Sequence, residues 1–308
     1  MKKIFKTIIF PLIILIILSV SGFCEDYNIG VIVQNSKLVA YKEPAEGFIN
    51  SLNIKKNFKC FEYHLDKQSV GEIKSSLKEN KINLIYAIGD KPTKEFLDIA
   101  SNIPMIFSTV LNYYNIKMDG KKIVGITQII PFEIILFRVQ GLLSNVKKVG
   151  VIYSDWSSKI VDNIREKQKE LEFELIEVKI SSKEDIEEGF KKIQKADAIY
   201  QIPDPTLYDF KTTMKVIELC KENKIPFIGF SDKFVEAGAA MSMSSSYSTI
   251  GSQAAVICEN LLVDKQSPES IGIVSPIGSL FVVNATTLKN IGIILTDELS
   301  SQIDELKK

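Results

Sequence analysis

Apolar runs of strand length alternate with segments of helical period along almost the whole chain. Tyr27–Gln34 has a β-branched centre (Ile29, Val31, Ile32, Val33) and reads as a strand. Leu38–Leu52 has helical spacing, Phe58–Leu65 is strand-like, Val70–Glu79 is a charged amphipathic helix and Asn83–Gly89 is a third strand. Pro92 falls in the first turn of a helix expected to reach about Asn102, a position that suits proline. Pro104–Val110 then reads as a fourth strand.

A second series follows the apolar run Lys122–Ile130. Pro131 opens a helix to about Leu143, Lys148–Tyr153 is a strand, and Ser157–Leu171 has helical spacing. Phe173–Ile180 is strand-like, and Ser182 caps a helix running to Ile193. Ala196–Ile202, Tyr208–Asn223 and Ile225–Phe230 repeat the strand–helix–strand order. Strands that are apolar on both faces and alternate with helices form parallel sheets covered on both sides. The pattern therefore predicts an α/β protein of two doubly wound parallel-sheet lobes with a cleft between them.

The N-terminus sets the compartment. Met1–Lys6 is basic and Ile8–Val20 is apolar, a run short of the ~20 residues that span a bilayer. Small residues follow at Ser19, Ser21 and Gly22, so residues 1–24 read as a signal peptide, with an uncleaved anchor as the alternative. Cys24, preceded by Phe23, leaves open an acylated lipoprotein terminus. Either reading places the folded part outside the cytoplasm, in the periplasm or at the cell surface.

The chain balances 38 basic against 38 acidic residues. Without Lys2, Lys3 and Lys6 it is mildly acidic, and no basic stripe is present to meet a phosphate backbone, which excludes nucleic acid as a partner. Cys60, Cys220 and Cys258 are widely spaced within apolar segments and read as small core residues. His64 is the only histidine, so no metal or histidine-based acid–base site is expected.

In open parallel sheets, ligands bind beyond the carboxyl ends of the strands. Those ends carry Gln34, Asn35 and Ser36; Gly89 and Asp90; Ser108, Thr109 and Asn112; Trp156, Ser157 and Ser158; Asp204; and Ser231, Asp232 and Tyr247. Ser36, Ser157 and Ser158 stand at helix starts, where free amides attract an anion. Asp90, Asp204 and Asp232 are candidates for an ammonium, and Trp156, Tyr113, Tyr114, Tyr208 and Tyr247 offer apolar walls. An anion cradle, an ammonium partner and an aromatic wall suit an amino acid or similar zwitterion, although any one of these residues also serves as an ordinary cap. No nucleophile elbow, phosphate loop, dinucleotide fingerprint or zinc-binding helix occurs. A carboxylate-pair hydrolase needs no motif and stays open.

Taken in order, several segments resemble the substrate-binding proteins of ABC transporters, in particular the tryptophan/tyrosine-type group with a type I periplasmic-binding fold. They are Gly30-Val-Ile-Val-Gln34 with Gly47-Phe48, Ala87-Ile-Gly89, Ile103-Pro-Met-Ile-Phe-Ser-Thr-Val110, Val124-Gly-Ile-Thr127, and Lys148-Val-Gly-Val-Ile-Tyr153 with Ser157-Ser158. Asp197-Ala-Ile-Tyr200 with Pro203-Asp204, Gly238-Ala-Ala with Tyr247 and Gly251, and Phe281-Val-Val-Asn284 continue the likeness. The chain departs from the family's usual residues at Ser36-Lys37-Leu38, at Asp90 and on both sides of Asp204.

The resemblance implies a receptor that captures a small solute, typically an amino acid, and delivers it to a membrane permease. No cofactor and no catalysis are expected, and a monomer is. It also implies a three-strand hinge, with crossings near Thr127–Pro131, Met241–Ser246 and Ile271–Leu280. Residues 25–128 with 247–275 would form one lobe, and 129–246 with 276–308 the other. A sensory ectodomain on the same fold is the alternative use.

Overall fold

The computed structural model describes residues 26–55 and 57–308; the expected signal segment and Cys24 lie outside the described residues. The first unit runs β1 (Tyr27–Val33), α1 (Val39–Asn53), β2 (Phe58–His64), α2 (Val70–Glu79), β3 (Leu84–Ile88), α3 (Asp90–Glu95), β4 (Met105–Ser108) and β5 (Ile123–Ile126). The chain then crosses into α4 (Phe132–Leu142), β6 (Lys148–Tyr153), α5 (Ser158–Glu166), β7 (Glu174–Lys179), α6 (Ile186–Ile193), β8 (Ala198–Tyr200), α7 (Phe210–Glu222), β9 (Phe227–Gly229), α8 (Asp232–Glu236) and β10 (Met241–Ser244). It returns for α9 (Tyr247–Leu262), α10 (Pro268–Ile271) and β11 (Ile273–Val274). It crosses a third time into β12 (Leu280–Asn284), α11 (Ala285–Asn290), α12 (Asp297–Ser300) and β13 (Glu305–Lys307).

Two sheets result, ordered β11-β5-β4-β3-β1-β2 and β13-β12-β10-β9-β8-β6-β7. The first is parallel throughout. In the second, β12 pairs antiparallel with β10 and takes β13 parallel to itself, so the last two strands run against the rest. The α/β class with two doubly wound lobes is the architecture that the apolar strands foretell.

Alternation along each strand builds a core on both faces. Ile29, Val31 and Val33 of β1 pack with Phe48, Ile250 and Cys258 under α1 and α9. Ile32 points the other way, to Ile73, Leu77 and Phe96 under α2 and α3. In the second lobe Val149 and Val151 face α4 and α5, and Ile152 faces α6 and α7.

Helix α9 returns to the first lobe because two glycines let its backbone touch that of α1. A Cβ on Gly47 would strike the Ser248 carbonyl, and one on Gly251 the Pro44 carbonyl. Ser51 and Ser252 bond at 3.1 Å within the same contact.

Three segments differ from the sequence expectation. The helix around Pro92 stops at Glu95, and a short 3-10 turn (Ile99–Ser101) follows, which brings both Phe96 and Ala100 into the core. The helix expected to reach Leu171 ends at Glu166; the turn beyond it lets the Gln168 side chain accept the Leu175 amide at 2.8 Å. The second crossing is shorter than the expected Met241–Ser246: Met241–Ser244 is strand β10, bonded to β9 and β12, so only Ser245 and Ser246 cross.

Candidate functional site

The strands β1 and β3 end side by side, with Val33 opposite Ile88. Gln34 and Gly89 therefore open neighbouring loops. Gly89 has φ 111°, and a Cβ there would lie 2.5 Å from Gln34 Oε1 and 3.0 Å from the Tyr41 ring. That space lets Gln34 accept the Lys91 amide at 2.9 Å and donate to the Tyr41 hydroxyl at 3.1 Å. Asp90 then becomes the first residue of α3, 36 % exposed, with Lys94 at 3.7 Å. Burial raises the Tyr41 pKa above its ordinary value, and the charge of Asp90 adds to the rise.

Further along this edge, Ser108 is buried, with Oγ 2.7 Å from the Tyr86 hydroxyl, and Thr109 beside it takes φ 57°. Asn112 reaches across to the other lobe and donates through Nδ2 to the Trp156 carbonyl at 2.5 Å. Its buried Oδ1 has no partner. Ser36 and Asn35 have local roles. The Ser36 amide and hydroxyl donate to Asp66 at 3.1 and 2.8 Å, and Asn35 Oδ1 accepts the Lys37 amide at 2.9 Å. Leu38 precedes α1 without a side-chain cap, so the Val39 and Ala40 amides have no acceptor among the described residues, whereas α2, α7 and α9 are capped by Ser69, Asp209 and Ser246.

In the second lobe Asp204 is 2 % exposed. Its Oδ2 accepts the Ser154 amide (3.1 Å), the Ser154 hydroxyl (2.7 Å) and the Ser157 hydroxyl (2.5 Å). Its Oδ1 accepts the Thr206 amide (3.0 Å) and hydroxyl (2.6 Å). Burial alone would raise the carboxyl pKa, but the bonds from Ser157, Thr206 and Ser154 outweigh it and hold the pKa below the usual aspartate value. Both oxygens are occupied within the lobe. Ser158 likewise donates to the Ser154 carbonyl at 3.1 Å, and Trp156 packs against the core under α4 and α5.

Asp232 is different. It is half-buried, and its bonds are local, to the Lys233 amide at 3.0 Å and the Ser231 hydroxyl at 3.3 Å. Its charge reaches Tyr247 at the start of α9. Burial raises the Tyr247 pKa first, with Asp232, Tyr41 and Glu43 adding to the rise. Gln128, in the first crossing, donates to the Tyr247 hydroxyl at 3.2 Å. Thus Tyr247 lies within electrostatic reach of Asp232 from the other lobe and of Tyr41 from its own, and Tyr41 lies within reach of Asp90. Tyr41, Glu43 and Gln128 were not among the sequence candidates. Tyr41 sits one helical turn inside α1 rather than at a strand end, which hides it from that search.

Two partly open cavities lie beside the crossings. A cavity of about 20 Å³, room for one water, is lined by Leu111, Gln128, Pro203 and Phe230 among others. A second of about 260 Å³ lies between Tyr113–Tyr114 and α5. Tyr113 and Tyr114, expected as aromatic walls, line the second; the other strand-end candidates line neither, and their sequence neighbours Leu111, Pro203 and Phe230 line the first. Among the described residues no cluster of metal-ligating side chains occurs, and no helix is long and apolar enough to cross a membrane.

Residues 28–307 match the sequence profile of a family described as ABC transporter substrate binding protein. A comparison with curated protein sequences returns no match. Among solved structures, one similar chain is a substrate-binding protein with adhesive properties from Clostridium difficile in its ligand-free, open structure. It is 20 % identical with a TM-score of 0.73, over 92 % of this chain and 99 % of that one. Another is an ABC domain from Streptococcus pneumonia in complex with L-Trp, 17 % identical with a TM-score of 0.63, over 92 % and 100 %. A conserved domain protein from Vibrio cholerae is 20 % identical with a TM-score of 0.62, over 92 % and 100 %.

Proposed function

This chain belongs to the ABC transporter substrate-binding protein family, and we propose that it captures an amino acid between its two sets of strand ends. Proteins of the family act outside the cytoplasm and hand a small solute to a membrane permease. The placement of Tyr247, within electrostatic reach of Asp232 from the opposite lobe and of Tyr41 from its own, carries the reading. Carboxylates flanked by tyrosine rings suit an ammonium group, and the uncapped start of α1 suits a carboxylate. Lobe closure would tighten both contacts at once, because they come from opposite sides. The L-Trp complex of the streptococcal neighbour supports an amino acid with an apolar side chain as the first solute to try.

A thermal-shift screen tests this. The protein is unfolded and refolded to remove carried-over solute, then heated with each amino acid in turn. A ligand at ~100 times its dissociation constant adds about 2.7 kcal/mol to stability. Asp232→Asn should remove most of that gain. Absence of any gain across amino acids, with sugars and nucleosides active instead, would sink the amino-acid assignment.

A further inference from the structure

The 260 Å³ cavity has a chemistry of its own. Its walls include the stacked rings of Tyr113 and Tyr114, 4.2 Å apart, together with Phe132 and Tyr200. Tyr200 is 2 % exposed, yet its hydroxyl has no hydrogen-bond partner among the described residues. Tyr200 lines the cavity from the floor strand β8. Glu133, in the first turn of α4, also lines it and has no cationic partner among the described residues. Lys167 is the cation on the rim, and Glu170 at 3.5 Å balances its charge. The site therefore combines aromatic faces, a carboxylate without a cationic partner and a tyrosine hydroxyl without a protein partner among the described residues.

We propose that this lateral cavity is a second small-molecule site, distinct from the cleft at the strand ends, that takes a small organic ammonium with an apolar body. The ammonium donates to the Glu133 carboxylate and the Tyr200 hydroxyl oxygen while the tyrosine rings contact the cation and the hydrocarbon. A volume of this size holds a molecule smaller than a drug. Tyr113 and Tyr114 come from the first lobe, α5 from the second, and Thr127 and Ser275 from two of the three crossings. An occupant touching all of them is coupled to the angle between the lobes.

The single tryptophan, Trp156, lies at the junction of the lobes and reports on binding. Phenethylammonium chloride is titrated into the purified protein at neutral pH while tryptophan fluorescence is followed. A saturable change is expected, with 2-phenylethanol weaker by about tenfold or more, the factor that one lost charge contact removes. Glu133→Gln should weaken phenethylammonium by a similar factor, and Asp232→Asn should leave it unchanged. Three results overturn the proposal: no saturable response by about 10 mM, equal binding of the alcohol, or a loss caused by Asp232→Asn and not by Glu133→Gln. The last would place the cation in the cleft. The test stands apart from the amino-acid reading, since each site has its own variant.

Discussion

Asp204 and Asp232 follow adjacent strands, β8 and β9, at the same end of the same sheet. Asp204 is buried and accepts five hydrogen bonds from Ser154, Ser157 and Thr206. Asp232 is half-buried, bonded only to its immediate neighbours, and its charge reaches Tyr247 of the other lobe. The residue type and the topological position are the same, but the bonding capacity left over is not. A carboxylate already saturated inside its lobe ties the loop after β8 to the loop after β6. One with free lone pairs at the gap is equipped to meet a ligand.

The largest test of that contrast is Asp204→Ala. It leaves two amides and three hydroxyls without their acceptor in a buried site, and should lower unfolding stability by about 4 kcal/mol in urea denaturation. The acid limb carries a second signature. Because the folded pKa lies below the unfolded value of about 3.9, the native state binds fewer protons than the unfolded one. The stabilisation is complete above that value and fades as pH falls through the folded pKa. Asp204→Asn should therefore start less stable near neutrality and lose less on acidification. A wild-type-like stability in Asp204→Ala would mean that the serine network holds without its centre.

Much of the fold could be read from the chain because apolar periodicity reports burial directly. The helix Val70–Glu79 and the strand Lys148–Tyr153 emerge with the boundaries read from sequence. The 3-10 turn at Ile99–Ser101 and the two-residue second crossing were hidden, since both depend on how neighbouring elements meet rather than on local pattern. At the site, sequence located the strand ends but not which side chains were engaged. Ser36 is tied to Asp66, thirty positions away in the chain, and Ser157 to Asp204. Tyr41 and Gln128 enter the site through tertiary contacts that no local motif records.

Gly89→Ala probes the free side of the comparison. The new Cβ meets Gln34 Oε1 at 2.5 Å, in a backbone conformation (φ 111°) that alanine avoids. A loss of about 2 kcal/mol is expected. Displacing Gln34 would also release the Lys91 amide and the Tyr41 hydroxyl, so solute affinity should fall together with stability. A loss of stability with full affinity would separate Gln34 from the binding edge. Tyr247→Phe is milder. It removes the bond from Gln128 while keeping the ring, and should cost about 1 kcal/mol.

Asp232→Asn should have the smallest effect on the fold, within about 0.5 kcal/mol, because the side chain is half-exposed and asparagine Oδ1 can still accept the Lys233 amide. Its effect belongs to the ligand: the ammonium loses a charged partner while the Tyr247 and Gln128 pair stays intact. Denaturation and thermal shift measured on the same variant separate the two roles. For Asp204→Asn the order reverses, with stability falling and the solute-induced gain preserved in proportion to the folded fraction. If both aspartates behaved alike in both assays, bonding saturation would not be what distinguishes a structural carboxylate from a binding one in this cleft.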